Sequence, residues 1–245
     1  NQNGNWNQLG DSVYNIEPDE GFGKSIALNL DGSLLVVGSP DARNLRGVVR
    51  VYQYNGVDTW NQLGSDIQGP SDGSLFGHSV TMNYLGDIIF IGSPGESKAH
   101  GYKFNGTDWI SLGTPILGKK IDDGFGFATE LNGEGIVAVV GSEHSSTNAG
   151  YVNVFEYQGN DWVQIGEILP SNPYEIIGHH ISVSDEKNTI AVGVSGIENS
   201  IKMYKYDSFD TSWKLISKVD VSGELKQICL SGNDELLMTG YVDNT

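Results

Sequence analysis

Residues 22–40 read FGKSIALNLDGSLLVVGSP, and the rest of the chain is organised around copies of this stretch. Ile26, Leu28 and Leu30 alternate with Ser25, Ala27 and Asn29, the period of two that marks a strand. Asp31-Gly32 is turn chemistry, and the apolar run Leu34 to Val37 suits a strand covered on both faces. Phe22 and Gly38 stand 16 residues apart (22 to 38), as do Phe76 and Gly92, Phe125 and Gly141, Ile177 and Gly193, and Glu224 and Gly240. So constant an interval predicts a β-hairpin of fixed register, because a slip of one residue would turn its buried face outward.

Working outward, each hairpin is followed by a stretch with two aromatic positions on one face: Tyr52 and Tyr54, Tyr102 and Phe104, Phe155 and Tyr157, Tyr204 and Tyr206. A short turn such as Asn55-Gly56 or Asn105-Gly106 leads to a tryptophan, and Trp6, Trp60, Trp109, Trp162 and Trp213 recur at intervals of 54, 49, 53 and 51 residues. Three positions after each lies Leu9, Leu63, Leu112, Ile165 or Ile216. Four antiparallel strands per repeat, the inner ones apolar on both faces, predict an all-β chain folded as a β-propeller of four-stranded blades. A flat solenoid is the alternative, but its repeats are usually shorter. The five visible repeats run approximately over 6–59, 60–108, 109–161, 162–212 and 213–245, the last incomplete, within one domain spanning 1–245.

Composition narrows the function. The 33 glycines and 18% charged residues fit short strands joined by tight turns. A net charge of −17 repels phosphate backbones and anionic headgroups, so nucleic acid and membrane surfaces are poor partners. Cys229 is the single cysteine, so no internal disulfide can form. Apolar runs such as Ile88 to Ile91 fall far short of the roughly 20 residues a membrane-spanning helix needs.

Phe22-Gly23 with Gly38-Ser39-Pro40, and Phe76-Gly77 with Gly92-Ser93-Pro94, resemble the FG-GAP repeat family, whose best-known members are the propeller heads of integrin alpha subunits. The Trp-x-x-Leu-Gly opening is similar to a shorter variant found in extracellular repeat proteins of microbes and algae. The resemblance implies a non-enzymatic extracellular or cell-surface module, used for adhesion or as a structural unit, whose partners are proteins. The chain opens with a fourth strand around Trp6 that would complete the last blade if five blades close into a ring. Nothing like Val-Tyr-x-Tyr follows Gly240, however, so the chain is expected to continue beyond Thr245 with at least the missing third strand. The resemblance implies a larger ring, often of seven blades. Integrin-type repeats often carry a calcium loop where this chain has only Asn29 to Ser33, Asn83 to Asp87 and Asn132 to Gly135. One acidic residue in each is too few for calcium's six to eight oxygens, so no metal and no cofactor is expected.

Other signals are weaker. His78, His100, His144, His179 and His180 show no metal-ligand spacing with an acidic partner. No nucleophile elbow, phosphate loop or dinucleotide fingerprint is present, so the chain is not expected to be an enzyme; a hydrolase would need a pocket with close carboxylates. A glycan-binding, lectin-like propeller is the alternative function, although tryptophans at one position in every repeat read as packing. Cys229 falls at the repeat position of Ala27, Thr81 and Ser182, which predicts a small side chain inside a blade. Asn105-Gly106-Thr107 is an N-glycosylation sequon in a turn.

In a four-stranded meander the short turns share one face, and the longer connections (Asp41 to Arg46, Glu96 to His100, Glu143 to Asn148, Ser65 to Leu75) share the other. Long loops on a rigid scaffold are where partners bind. The residues opening the first strands, Lys24, His78, Phe127, His179 and Lys226, should ring the propeller axis on that face. Two lysines and two histidines there would hold an anion or a partner's carboxylate, unless Asp19, Asp72 and Asp123 neutralise them.

Overall fold

The computed structural model describes residues 7–143, 149–172, 175–185, 189–196, 199–232, 235 and 237–242. Trp6 and His144 lie outside the described residues. Blade 1 consists of β1 (Ser25–Leu28), β2 (Leu34–Ser39), β3 (Val48–Tyr54) and an outer strand in two pieces, β4 (Trp60–Gln62) and β5 (Ile67–Gln68), both antiparallel to β3. Blade 2 repeats this with β6 (Val80–Met82), β7 (Ile88–Ser93), β8 (Lys98–Phe104), β9 (Trp109–Ser111) and β10 (Ile116–Leu117). In blades 3 and 4 the outer strand is continuous: β11 (Phe125–Leu131), β12 (Val137–Ser142), β13 (Tyr151–Gln158) and β14 (Asp161–Ile168), then β15 (Glu175–Val183), β16 (Thr189–Gly196), β17 (Asn199–Asp207) and β18 (Ser212–Val221). The last unit is a hairpin of β19 (Glu224–Leu230) and β20 (Leu237–Val242).

The first strand of each blade lies innermost and touches the first strand of the next. The cores sit between blades. Val36, Val49 and Val51 of blade 1 meet Phe76, Val80, Ile89 and Trp109 of blade 2, and the pattern recurs between blades 2 and 3 and between 3 and 4. That is why β7 and β12 are apolar along nearly their whole length: each is covered from both sides.

Two repeated residues set the spacing of the blades. A Cβ on Gly38, Gly92 or Gly141 would overlap the carbonyl oxygen of Gly77, Gly126 or Gly178 in the following blade. Three of the tryptophans also tie their blades to the chain segment before them. Trp60, Trp109 and Trp162 donate their indole N–H to the carbonyls of Leu9, Leu63 and Leu112 at 2.9, 3.0 and 2.9 Å. Their rings pack on the strand-three aromatics, with centroids 5.4 Å apart for Tyr54–Trp60, 5.3 Å for Phe104–Trp109 and 5.2 Å for Tyr157–Trp162. The indoles are thus used in packing, as the sequence pattern anticipates.

Three of the hairpin turns close through asparagine. The side-chain oxygens of Asn29, Asn83 and Asn132 accept the amides of Leu34, Ile88 and Val137 at 2.9, 2.9 and 2.8 Å. Neighbouring turns are linked in turn, Leu30 N–H to Tyr84 O and Tyr84 N–H to Gly133 O.

Several expectations need correction. Lys98 to His100 belongs to β8, and Ile67–Gln68 to β5, so the connections there are shorter than the sequence implied. In Asp41 to Arg46 the chain makes one tight coil, with Arg43, Asn44 and Leu45 all left-handed. Residues 144–148 of the Glu143 to Asn148 connection lie outside the described residues. Residues 7–24 form no strand; they lie against blade 1, with Asp11 N–H on Asp58 O and Leu9 O on Trp60. No N-terminal strand therefore completes the last hairpin among the described residues. Ile26 and Leu28, whose counterparts Val80 and Met82 are buried against the preceding blade, are 63% and 56% exposed, because no described blade covers that side of β1.

Candidate functional site

The Phe-Gly pair builds the mouth of the axis. The aromatic side chain enters the blade: Phe76 and Phe125 are fully buried, and Ile177 and Leu225 take the same place in the last two units. The glycine after it turns left-handed, at φ 81° for Gly23, 86° for Gly77, 91° for Gly126 and 97° for Gly178. A side chain would strain that conformation. The ladder consequently skips, from Phe125 to Ala128 and from Ile177 to Ile181, and the bulged residues leave the sheet. Lys24, His78, Phe127 and His179 come to line one cavity of about 400 Å³, together with His180, Ser79, Thr129 and Glu130.

The rings there form an arc. His78 and Phe127 lie with centroids 4.6 Å apart, and Phe127 and His179 4.8 Å apart. His78 Nδ1 is 3.1 Å from Phe127 O. Burial pushes the His78 imidazole below its ordinary value, and the nearby Lys24 charge adds to this. Burial and the adjacent His179 do the same to His180. Lys24 is the exposed cation of the mouth, while the carboxylates of Glu143 and Asp41 also act on His78.

Of the five residues expected around the axis, four meet and one does not. In the last hairpin the skip is one residue shorter, from Leu225 to Gln227, so Gln227 and Ile228 line the cavity. Lys226 is drawn to Glu224, 2.5 Å away. Two of the three aspartates thought to neutralise the ring are engaged elsewhere. Asp72 pairs with Arg46 at 2.9 Å, and Asp123 accepts the Tyr151 hydroxyl at 2.5 Å. Asn105 lies apart from the mouth in the exposed β8–β9 turn, its side-chain oxygen accepting the amides of Thr107 and Asp108 at 2.9 Å.

Cys229 is exposed rather than enclosed in a blade. Its thiol is raised by burial of part of its surroundings and by the negative charge of Glu130. Glu130 itself was missed. It occupies the repeat position of Ala27, Thr81, Ser182 and Cys229, opposite Val139 as they stand opposite Val36, Phe90, Ala191 and Met238. Aligning the repeats on Cys229 would have shown one carboxylate among small residues.

Blades that radiate from a shared axis, each a four-stranded antiparallel meander, are also the architecture of known proteins. The chain superposes on hydrazine synthase of Kuenenia stuttgartiensis with a TM-score of 0.63 at 10% identity, covering 94% of this chain and 58% of that one. It superposes on a protein from Lactobacillus plantarum with a TM-score of 0.61 at 14% identity, covering 89% and 63%. The Cps50 (Swd1) beta-propeller domain of Myceliophteria thermophila gives 0.59 at 8% identity, covering 89% and 79%. The fold is a β-propeller. This chain spans less than two thirds of the length of the first two proteins. No protein-family model and no curated protein matches its sequence, so the FG-GAP likeness rests on the residue pattern alone.

Proposed function

We propose that this propeller is a non-enzymatic interaction module of the extracellular space or cell surface, and that a partner protein docks on its long-loop face with a carboxylate entering the axial mouth. The observation that carries this reading is the convergence of Lys24, His78, Phe127 and His179 on one cavity from four separate blades. A single lysine on a surface of net charge −17 gives an otherwise anion-repelling protein one local point of attraction. The rings of His78, Phe127 and His179 wall the entrance and limit what can follow the carboxylate inside. The extracellular assignment is supported by the Phe-Gly and Gly-Ser-Pro repeats and their resemblance to adhesion propellers.

The test uses succinate as the probe and the imidazole proton resonances as the reporter. Saturable shifts of His78 and His179 that vanish in Lys24→Ala support the reading. Shifts that never saturate, or that survive in Lys24→Ala, would refute it.

A further inference from the structure

The third residue after each bulge is small in four of the five units: Ala27, Thr81, Ser182 and Cys229. Two of them use their hydroxyls to join innermost strands. Thr81 Oγ1 accepts Leu131 N–H at 3.4 Å, and Ser182 Oγ accepts Leu230 N–H at 3.0 Å. Blade packing therefore asks for something short at this place. Blade 3 instead carries Glu130, whose carboxyl lines the axial cavity below the mouth.

That carboxyl is poorly provided for. The hydrogen bond given to it is from the Thr81 hydroxyl, at 3.5 Å, the outer limit of such a bond. Among the described residues no lysine or arginine pairs with it; Lys226 is held by Glu224, and Lys24 sits at the lip. Burial without a counter-ion raises its pKa to about 7. A carboxylate placed where the repeat needs a small neutral residue, in a cavity open to solvent, has a vacant role for a cation.

We propose that the axial cavity binds a primary ammonium group against the Glu130 carboxylate, in a ligand whose far end is a carboxylate held at the mouth by Lys24. The second half of this statement rests on the mouth reading above; the first half does not. Lys24 comes from blade 1 and Glu130 from blade 3, and both line this one cavity. One cation and one carboxylate on different walls of a cavity suit a flexible ligand with an ammonium at one end and a carboxylate at the other. A free ω-amino acid has this form, and so does the last residue of a protein that ends in lysine.

Calorimetric titration of the whole chain at about pH 8, a unit above the Glu130 value, decides the matter. With 6-aminohexanoate as probe, saturable binding is expected, weakened at least tenfold by Glu130→Gln. Hexylamine should bind more weakly than 6-aminohexanoate and remain sensitive to Glu130→Gln, and Lys24→Ala should abolish the difference between the two. Equal affinity for both probes, unaffected by Lys24→Ala, refutes the mouth reading while leaving the ammonium site at Glu130 supported. Affinity unchanged in Glu130→Gln, or no binding of either amine, overturns the proposal. Glu130→Asp is a second variant should the first fail to fold: it withdraws the carboxylate by one methylene and should shift preference from 6-aminohexanoate to 7-aminoheptanoate. A peptide ending in lysine, compared with its C-terminal amide, separates the two sources. Tighter binding of the acid peptide than of 6-aminohexanoate assigns the site to a protein terminus, and the reverse order assigns it to a free ω-amino acid.

Discussion

Gly92 abuts the backbone of Gly126 one blade along, so closely that a Cβ on Gly92 would occupy the Gly126 carbonyl oxygen. Both glycines belong to the same repeat motif, one closing the second strand and the other opening the bulge of the next blade. The contact is lost at the end of the series. Gly193 faces the side chains of His180 and Leu225, and a Cβ on Gly240 would meet nothing within 4 Å. Gly92→Ala should therefore destabilise the chain by about 1–3 kcal/mol through overpacking against rigid backbone. Gly240→Ala, at the same repeat position, should stay within about 0.5 kcal/mol of the parent. Urea unfolding of both variants measures the difference, and equal costs would contradict the close approach.

The tryptophans offer a parallel comparison. Trp109 gives its N–H to Leu63 O at 3.0 Å, whereas the N–H of Trp213 is buried without a partner. Each ring nevertheless packs on a strand-three aromatic at the same centroid separation of 5.3 Å. Phenylalanine at either site loses a similar part of the ring. Only at position 109 does it also break a hydrogen bond and strand a carbonyl. Trp109→Phe should cost about 1 kcal/mol more than Trp213→Phe, read from the two denaturation midpoints at constant slope.

Much of this was legible because a repeat repeats its reasons. The interval from Phe22 to Gly38 fixed a hairpin register, and the run from Val137 to Val140 revealed a strand covered twice. The axial mouth was legible for the same reason, since Lys24, His78, Phe127 and His179 share one place after the glycine. Lys226 was misplaced because one residue fewer in the bulge is invisible until strands are paired. Charge states were also hidden. The buried ion pair of Arg50 with Glu20, 3.1 Å apart, joins positions 30 residues distant, and neither looks unusual in the sequence. Arg50, His100, Asn153 and Lys202 in fact share one repeat position, opposite Val37, Ile91, Val140 and Val192. Their dissimilar side chains mask the equivalence.

His100 turns that hidden column into a pH dependence. It is 7% exposed, its ring meets Phe76 at 5.3 Å, and Nε2 has no partner. Burial lowers its pKa to about 4, with Glu96 opposing and Lys98 assisting. Between that value and the unfolded value of about 6.5, the unfolded chain binds the extra proton, so stability rises with pH across the window. The contribution is complete above about pH 6.5 and is lost as pH falls toward 4, amounting to about 3 kcal/mol over the range. Unfolding free energies of the parent and His100→Gln from pH 4 to 7 should diverge in slope by this group, and parallel curves would rule it out.

The uncovered side of β1 yields the last prediction. Ile26, Leu28 and Leu30 are 63%, 56% and 70% exposed, while Val80 and Met82, which occupy the places of Ile26 and Leu28 in blade 2, are each 7% exposed. Ile26 and Leu28 on one face of β1, with Leu30 in the turn beyond it, expose large aliphatic side chains, the kind of surface that draws proteins together. Threonine keeps the β-branched shape a strand favours while adding a hydroxyl that water can satisfy. The triple variant Ile26→Thr, Leu28→Thr, Leu30→Thr of the 245-residue chain should leave the circular dichroism spectrum unchanged and shift each unfolding curve by little, as exposed substitutions do. Its light scattering at high concentration should fall well below that of the parent chain. The corresponding change at Val80 and Met82, where the same strand face is packed against blade 1, should instead destabilise the fold by several kcal/mol, about 2 or more for each buried side chain made polar. If the β1 variant unfolds as readily as the β6 variant, that face is covered in solution, and the apolar patch is an interface.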